Sequence, residues 1–229
     1  TADMLVELEK VILKEKPTHI IVQGDTNTVL AGALTASKLK VKVCHVEAGL
    51  RSFDRDMPEE INRVITDHIS DHLFAPTILA ENNLLKENID RKKIKMTGNT
   101  IVDAVEQNLL LSSKHSTFLS QHKLKEKEYA LVTLHRPSNV DNELNLLGII
   151  EGLKSVSATF NLKMVWPIHP RTKKMVNDFK INMPSEITLI EPLDFFDFLS
   201  AERHAKIVLT DSGGVQEECC IMNVPCVTI

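Results

Sequence analysis

Residues 19–46 read HIIVQGDTNTVLAGALTASKLKVKVCHV and contain the pattern that decides the fold. A short β-rich run (19–23) is followed by an Ala- and Leu-rich stretch (27–40) and by a second β-rich run (41–46). Runs of this length are typical of buried strands, and the longer stretch between them is typical of a helix. A strand, a helix and a strand in this order predict a β–α–β unit with parallel strands.

The same alternation extends over most of the chain. Strands are predicted at 19–23, 41–46, 72–75, 93–98, 129–134, 163–168, 187–190, 205–210 and 224–229. Helices are predicted at 2–16, 27–40, 58–70, 77–88, 99–111, about 142–159, 171–180, 194–203 and 214–222. Repeated alternation of this kind predicts an α/β fold with parallel sheets and helices on both faces.

Residues 112–128 interrupt the alternation, because they are polar, lysine-rich and only weakly periodic. We interpret them as a linker between two Rossmann-like domains, at 1–113 and 125–229. The sequence begins on a helix without a preceding strand and stops on an apolar strand without a following helix. Because a Rossmann-type half normally opens with a strand and a phosphate-binding turn, we expect both domains to be truncated.

The composition narrows the possible function classes. Of the 229 residues, 43% are hydrophobic and 25% are charged, which is typical of a globular protein. The net charge of −4, without a long basic run, argues against nucleic acid as a partner. No apolar run reaches the roughly 18–20 residues of a membrane span, so we expect no membrane partner. The four cysteines lack paired spacings, which predicts reduced core thiols and a cytoplasmic location.

Polar or titratable residues follow five of the predicted strands. In open parallel sheets, ligands bind at the carboxyl ends of the strands, so these residues are candidates for a functional site. They are Asp25, Glu47, the pair His135 and Arg136, His169, and residues 211–214.

Several of these candidates also have a purely structural explanation. Asp25 is equally well explained as the cap of the helix that follows it. Glu59 and Glu60 follow Pro58 in a first helical turn, where the helix dipole favours acidic residues. Glu47 is harder to explain in this way, because a carboxylate directly after an apolar strand is costly to bury without a partner.

Residues 211–220 read DSGGVQEECC and join a predicted strand to a predicted helix. The adjacent glycines Gly213 and Gly214 allow a ligand to approach the backbone closely. The free N–H groups at a helix N-terminus suit an anion, and the hydroxyl of Ser212 adds one more donor. The stretch therefore indicates an anion-binding turn.

Six segments stand out: GDTNT (24–28), HVEAGLRS (45–52), PEEINR (58–63), TGNTIVDA (97–104), TLHRPSNVDN (133–142) and DSGGVQEE (211–218). Together they resemble the signatures of the non-hydrolysing UDP-N-acetylglucosamine 2-epimerases. The resemblance runs from residue 1 to residue 229 in the family's order, and it implies a glycosyltransferase-B-like fold with the substrate in the cleft between two Rossmann-like domains. It also implies that segments are missing at both ends.

The resemblance implies reversible epimerisation at C2 of UDP-GlcNAc to UDP-ManNAc. In the implied route, UDP is eliminated to give 2-acetamidoglucal and is then added back, with the proton delivered to the opposite face of C2. By this resemblance, the acid/base carboxylates are Asp25, Glu47 and Glu59. His135 is implied to be catalytic and Arg136 to bind substrate, and both are implied to face the diphosphate or the sugar.

The resemblance also implies binding roles in the second domain. Glu218 is implied as the partner of the ribose hydroxyls, and His169 as part of a regulatory UDP-GlcNAc site. Phe198 matches a position that packs on the uracil ring, although a core aromatic on a Phe-rich helix is an equally good explanation. The diphosphate is implied to bind at Ser212, Gly213 and Gly214.

Three alternatives remain for the function. The first is the hydrolysing relative, which releases ManNAc and UDP; Thr26 and Ala48 favour the non-hydrolysing branch instead. The second is a glycosyltransferase of the same fold, and the third is a catalytically inactive fragment that only binds a UDP-sugar. We expect no metal and no nicotinamide cofactor, because G-x-G-x-x-G and carboxylate pairs at metal-binding spacing are absent. The resemblance implies a homodimer and a role in polysaccharide biosynthesis.

Overall fold

A computed structural model describes all residues from 1 to 229. They divide into two compact units, Thr1–Thr100 and Ile101–Ile229. Each unit contains one sheet in which every pair of neighbouring strands is parallel. The α/β class predicted from the alternation is therefore confirmed.

The first unit contains a four-stranded sheet in the order β1-β2-β3-β4, so strands that follow each other in sequence are neighbours. The strands are β1 (His19–Gln23), β2 (Lys42–Val46), β3 (His72–Ala75) and β4 (Ile94–Met96). The helices are α1 (Ala2–Glu15), α2 (Asn27–Lys38), α3 (Pro58–Ile69) and α4 (Ile78–Lys86), and a 3-10 turn covers Arg91–Lys93.

Small side chains bring α2 close to the sheet of the first unit. Ala33 and Ala36 are fully buried and pack with Val22 of β1 and Val43 of β2. A Cβ atom on Gly32 would lie only 3.3 Å from Cγ1 of Val22, so the helix and the strand are in close contact there. The Ala-rich stretch that predicted a helix therefore also determines how closely that helix packs.

The second unit contains a five-stranded sheet in the order β7-β6-β5-β8-β9. The strands are β5 (Tyr129–Thr133), β6 (Lys163–Pro167), β7 (Ile187–Ile190), β8 (Ile207–Thr210) and β9 (Cys226–Thr228). The helices are α5 (Thr100–His115), α6 (Phe118–Gln121), α7 (Pro137–Val140), α8 (Glu143–Phe160), α9 (Pro170–Asp178), α10 (Phe195–His204) and α11 (Gly213–Ile221).

The central strand β5 is covered on both faces. Ala130 and Val132 belong to one apolar cluster, while Tyr129 and Leu131 belong to another. All four are fully buried. Because side chains alternate between the two faces of a strand, a strand that is apolar at every position requires helices on both sides. The run YALV (129–132) has this character, as predicted.

The segment interpreted as a linker instead contains the end of α5 and all of α6, and it packs in the second unit. Phe118 is fully buried, with its ring centroid 5.9 Å from that of Tyr129. The hydroxyl of Ser112 donates to the carbonyl of Phe196 at 2.7 Å, and that of Ser116 donates to Asp197 at 2.6 Å. The division between units therefore falls at residue 100, before the predicted interval of 113–125. The lysine-rich composition concealed this packing, because few of these residues face the core.

The four cysteines are free thiols, and they differ in burial. Cys44 and Cys219 are buried and Cys226 is half-buried, whereas Cys220 is exposed. The expectation of core thiols is therefore wrong for Cys220. Adjacent residues on a helix point to different sides, so only Cys219 of the adjacent pair faces the core.

Gly49, which follows β2, has a conformation that only glycine satisfies. Its φ is +83°, and a Cβ atom there would lie 2.3 Å from the carbonyl oxygen of Ala80. Gly98 has nearly the same φ, +84°, but a Cβ atom there would have no neighbour within 4 Å. Substitutions at these two positions therefore distinguish the cost of a left-handed backbone from the cost of steric overlap.

We predict that Gly49→Ala destabilises the first unit far more than Gly98→Ala. Both variants bear the cost of a left-handed alanine, about 1–2 kcal/mol. Only Gly49→Ala also forces α4 away from the turn, because the new methyl overlaps a backbone carbonyl. Urea unfolding of both variants measures the difference, and equal losses of stability would contradict the steric explanation.

Candidate functional site

The turns after β1 and β2 lie side by side. Gln23 and Val46 are partners in the parallel register, and the N–H of Gly24 donates to the carbonyl of Val46 at 3.1 Å. Asp25 and Glu47, the next residues of the two turns, are both half-buried. The structure thus brings these two predicted carboxylates to adjacent turns at one edge of the sheet.

Glu47 has a left-handed backbone, with a φ of +69°. This conformation is uncommon for a residue other than glycine, and strain of this kind is concentrated at functional sites. The side-chain amide of Gln23 donates to Oε1 of Glu47 at 2.8 Å. The carboxylate is therefore held in a defined position while its backbone is strained.

Asp25 is held by helix α3. The guanidinium of Arg63 donates to Oδ2 of Asp25, and the side-chain amide of Asn62 donates to the backbone carbonyl of Asp25 at 2.8 Å. The carboxylate of Asp25 does not cap α2, since Thr26 is the N-cap residue. The structural role of the Asp25 carboxylate is therefore an ion pair with Arg63 and not a helix cap.

The two acidic residues at the start of α3 have different environments. Glu59 is exposed, whereas Glu60 is only 2% exposed. Glu60 accepts from the backbone N–H groups of Ser52 at 2.9 Å and Phe53 at 3.0 Å, and from Arg63 at 3.1 Å. Glu60 therefore fixes the loop before α3. Glu59 remains directed to the surface, one helical turn before Arg63 on the same side of the helix.

In the second unit, Asp211 joins the turn after β5 to the turn after β8. Its buried carboxylate accepts from the backbone N–H groups of His135 at 3.0 Å and Arg136 at 2.9 Å, and from the Asn139 amide at 3.1 Å. Nδ1 of His135 lies 3.1 Å from Oδ1 of Asp211, and Nε of Arg136 donates to the Asp211 carbonyl at 2.7 Å. The predicted His–Arg pair and the DSGG turn are therefore adjacent.

The N-terminus of α11 is open. Ser212 is its N-cap residue, and the hydroxyl makes no capping bond. Gly213 and Gly214 are exposed, neither has a positive φ, and a Cβ atom on either would meet nothing within 4 Å. Neither the backbone conformation nor the surrounding protein therefore requires glycine at these positions.

Glu218 lies in α11 next to a second carboxyl group, Glu202 of α10. Glu202 is fully buried, and neither of its carboxyl oxygens has a hydrogen-bond partner in the geometry of the structure. Burial raises the pKa of Glu218. Burial, followed by the charge of Glu218, raises the pKa of Glu202 to about 10. The raised pKa values favour the neutral forms, and a neutral Glu202 removes the charge repulsion between the two carboxyl groups.

The structure places the two remaining predicted residues in the second unit. His169 is the N-cap residue of α9, and its ring centroid lies 5.8 Å from that of His135. Phe198 is half-buried and packs against the apolar cluster that contains Leu199 and Val208. His169 thus adjoins the candidate site, whereas the packing of Phe198 agrees with its structural explanation and leaves the uracil role a prediction.

Sequence reasoning missed how the candidates are held in place, chiefly by Arg63, Glu60 and Asp211. Each lies inside a motif already quoted, PEEINR or DSGG, so the motifs contained them without showing their roles. The signal for Asp211 was available, because a carboxylate directly after an apolar strand needs partners when buried. No comparable signal links Arg63 to Asp25, since 38 residues separate them.

The structure contains no group of three or more His, Cys, Asp or Glu residues arranged to hold a metal ion. No helix combines the length and the apolar character of a membrane span.

The fold and the two clusters define a class of protein. Parallel sheets with titratable turns at the carboxyl ends of their strands, together with an open helix N-terminus, are typical of α/β proteins that bind a nucleotide. The chain belongs to the UDP-N-acetylglucosamine 2-epimerase family, which it matches over residues 1–229. The resemblance inferred from the six motifs is thereby confirmed at the level of the UDP-N-acetylglucosamine 2-epimerase family.

Individual relatives agree with this assignment. The UDP-N-acetylglucosamine 2-epimerase of Methanocaldococcus jannaschii is 54% identical over 235 residues, which cover all of this chain and 64% of that protein. The UDP-2,3-diacetamido-2,3-dideoxy-D-glucuronate 2-epimerase of Pseudomonas aeruginosa is 42% identical over 230 residues, covering all of this chain and 63% of that protein. The chain thus spans about 60–64% of the length of the curated relatives it matches.

A solved structure shows the same fold. The crystal structure of the Methanocaldococcus jannaschii UDP-GlcNAc 2-epimerase in complex with UDP-GlcNAc and UDP matches with a TM-score of 0.90 at 55% identity. The match covers 99% of this chain and 64% of that chain. It confirms the glycosyltransferase-B-like fold class implied by the sequence.

We predict that Glu60→Gln is less stable than the unsubstituted chain by about 1–3 kcal/mol at pH 7. Burial alone would raise the pKa of Glu60, but the N–H groups of Ser52 and Phe53 lower it. A lowered pKa means that this stabilisation is present above about pH 4.5 and is lost as the pH falls through the folded value. Urea unfolding at pH 7 and pH 4 should therefore show a difference that shrinks in acid. Glu59→Gln is the control, and equal stability of the two variants at pH 7 would contradict the assignment.

We predict the opposite effect for Glu202→Gln. Between its unfolded pKa of 4.5 and its folded pKa of about 10, Glu202 keeps a proton that the unfolded chain releases, so stability falls as the pH rises. Glutamine has the same shape and does not ionise. The variant should gain on the order of 1–3 kcal/mol at pH 8 and nothing below pH 4.

The matched control for Glu202→Gln is Glu106→Gln, which changes an exposed carboxylate on α5 of the same unit. Thermal unfolding of both variants at pH 8 and pH 4 measures the effect. A Glu202→Gln variant that is less stable than the unsubstituted chain at pH 8 would show that Glu202 is charged and paired.

Proposed function

We propose that the protein containing this chain interconverts UDP-GlcNAc and UDP-ManNAc by elimination and re-addition of UDP. A carboxylate removes the proton from C2, the C1–O bond breaks, and UDP departs with the bonding electrons, leaving 2-acetamidoglucal. In the return step, an acid delivers a proton to the opposite face of C2 while the UDP oxygen bonds to C1. The observation that carries the proposal is the pairing of Asp25 and Glu47 on adjacent turns after two parallel strands.

The first unit supplies the proton-transfer groups in this proposal. Inversion at C2 needs an acid/base group on each face of the sugar, and Asp25, Glu47 and Glu59 are the candidates. The ion pair of Asp25 with Arg63 and the bond of Glu47 to Gln23 support distinct orientations for the two carboxylates.

The second unit binds UDP in this proposal. The N–H groups at the start of α11 and the hydroxyl of Ser212 donate to the diphosphate, and Glu218 accepts from the ribose hydroxyls. His135 and Arg136, held by Asp211, provide donors that stabilise the charge on the departing phosphate. His169, adjacent to His135, is the candidate for a regulatory UDP-GlcNAc site, and Phe198 for the uracil contact.

Two other reactions fit the same family and fold. A hydrolysing enzyme would release free ManNAc and UDP, and Thr26 and Ala48 favour the non-hydrolysing branch. The Pseudomonas aeruginosa relative is named for a UDP-diacetamido-glucuronate, so that sugar is the second candidate substrate. We expect the complete protein to be a cytoplasmic homodimer.

We predict that the complete protein converts UDP-GlcNAc to UDP-ManNAc and incorporates one deuterium at C2 in deuterated water. Proton NMR of the product mixture measures both events, because the C2 hydrogen signal is lost as the epimer forms. Stoichiometric UDP with free ManNAc would favour hydrolysis, and UDP binding without exchange would indicate a binding protein. Turnover of only the diacetamido-glucuronate substrate would assign the other specificity.

We predict that Asp25→Asn, Glu47→Gln and Glu59→Gln each lower the exchange rate by about 10²–10⁴-fold, the usual contribution of a general acid or base. UDP affinity should stay within about twofold, because UDP is bound by the second unit. Glu7→Gln, an exposed carboxylate on α1, is the control. If a variant exchanges the C2 hydrogen as fast as the control, that carboxylate has no role in proton transfer.

A further inference from the structure

Behind the two turns of the first unit lies a buried chain of charged side chains. His45 of β2 and Asp67 of α3 are both fully buried at the side-chain level. Arg51, whose side chain is 1% exposed, bonds Asp67 at 2.7 Å and pairs with Glu87 at 2.7 Å. None of these residues was among the candidates from sequence, and none is a reacting group in the proposed function.

His45 connects this chain to the turn that bears Asp25. Its Nδ1 lies 2.6 Å from Oδ1 of Asp67, and its Nε2 lies 2.9 Å from the backbone carbonyl of Gly24. Both partners are acceptors, so both bonds form only when both ring nitrogens carry a proton. The carboxylate of Asp67 thus supports a ring that donates to the residue directly before Asp25.

The second oxygen of Asp67 reaches the turn that bears Glu47. Oδ2 accepts from the backbone N–H of Gly49 at 3.1 Å as well as from Arg51. Gly49 lies two residues after Glu47, and both have a positive φ. One carboxylate is therefore bonded, directly or through one imidazole, to the turns of both candidate proton-transfer groups.

We propose that Asp67 and His45 are positioning residues that set the geometry of the turns bearing Asp25 and Glu47. This inference rests on the proposed function, because only proton transfer requires that geometry. A buried ion pair contributes little net stability compared with apolar residues of the same size. Its benefit lies in orientation, since a displacement of about 1 Å at a reacting group costs about 10²-fold in rate.

The same helix carries a further partner of these turns. Arg63, which bonds Asp25, lies one helical turn before Asp67 on the same side of α3, and Glu59 lies one turn earlier still. A shift of α3 at Asp67 would therefore also move the guanidinium that bonds Asp25.

The first test compares Asp67→Asn with Asp71→Asn in the complete protein. Asp71 is the matched control, because its carboxylate accepts from the N–H of Val43 at 2.9 Å at the opposite end of β2. Asparagine at 67 loses an acceptor, so we expect kcat per UDP-binding site to fall about 10–100-fold with KM within about twofold. Asp71→Asn should leave kcat unchanged.

The second test uses two substitutions of His45 that keep one donor each. The amide nitrogen of asparagine corresponds to Nδ1 of histidine, and that of glutamine corresponds to Nε2. His45→Gln retains a donor toward the carbonyl of Gly24, so it should keep about fivefold more kcat than His45→Asn, the equivalent of one neutral hydrogen bond. If His45 had only a structural role, the two variants would differ in stability and in the fraction of folded protein. Their kcat per folded molecule would then not follow this order.

Hydrogen–deuterium exchange of backbone amides in residues 24–28 gives a readout that does not depend on turnover. We expect faster exchange there in Asp67→Asn and His45→Asn than in Asp71→Asn. If the unsubstituted protein turns over but Asp67→Asn matches Asp71→Asn in kcat and exchange, the positioning role is overturned. If the unsubstituted protein does not turn over UDP-GlcNAc, the proposed function fails. In that case, unchanged amide exchange in Asp67→Asn and His45→Asn overturns the positioning role as well.

Discussion

Parallel strand pairing is the constraint on which the rest of the structure depends. In a parallel sheet the carboxyl ends of neighbouring strands meet at one edge, so residues far apart in sequence become neighbours. The pairing of Gln23 with Val46 places the turns after β1 and β2 side by side. In the second unit, the pairing of Thr133 with Thr210 does the same for His135 and Asp211. Both clusters follow from strand register alone.

Buried carboxylates then convert this proximity into fixed geometry. Glu60, Asp67 and Asp211 are each at most 2% exposed, and each accepts from at least one backbone N–H group of a loop. A carboxylate has several acceptor sites, so one buried side chain can hold two or three loop residues at once. In each case an exposed or half-buried neighbour is the candidate that meets substrate. The buried acids and the candidate residues therefore have separate tasks.

The sequence predicted the strands well because the signal for a buried strand is local. HIIVQ, HLFA and ITLI match the observed strands residue for residue. The last turn of α5 and the short helix α6 were missed, because their stability comes from contacts such as that of Phe118 with Tyr129 rather than from their composition. The candidate residues could be found from their positions after strands. Their partners could not, because the contact between Arg63 and Asp25 exists only after α3 has packed beside the turn.

The two adjacent glutamates of PEEINR, Glu59 and Glu60, have different roles. Glu60 is required by the loop at Ser52 and Phe53, and its environment lowers its pKa. Glu59 has no such structural task, because it is exposed. The helix dipole favours an acid at either position, so propensity alone does not distinguish the two residues. The distinction arises from burial, which commits one carboxylate to the fold and leaves the other free to act on substrate in the proposed reaction.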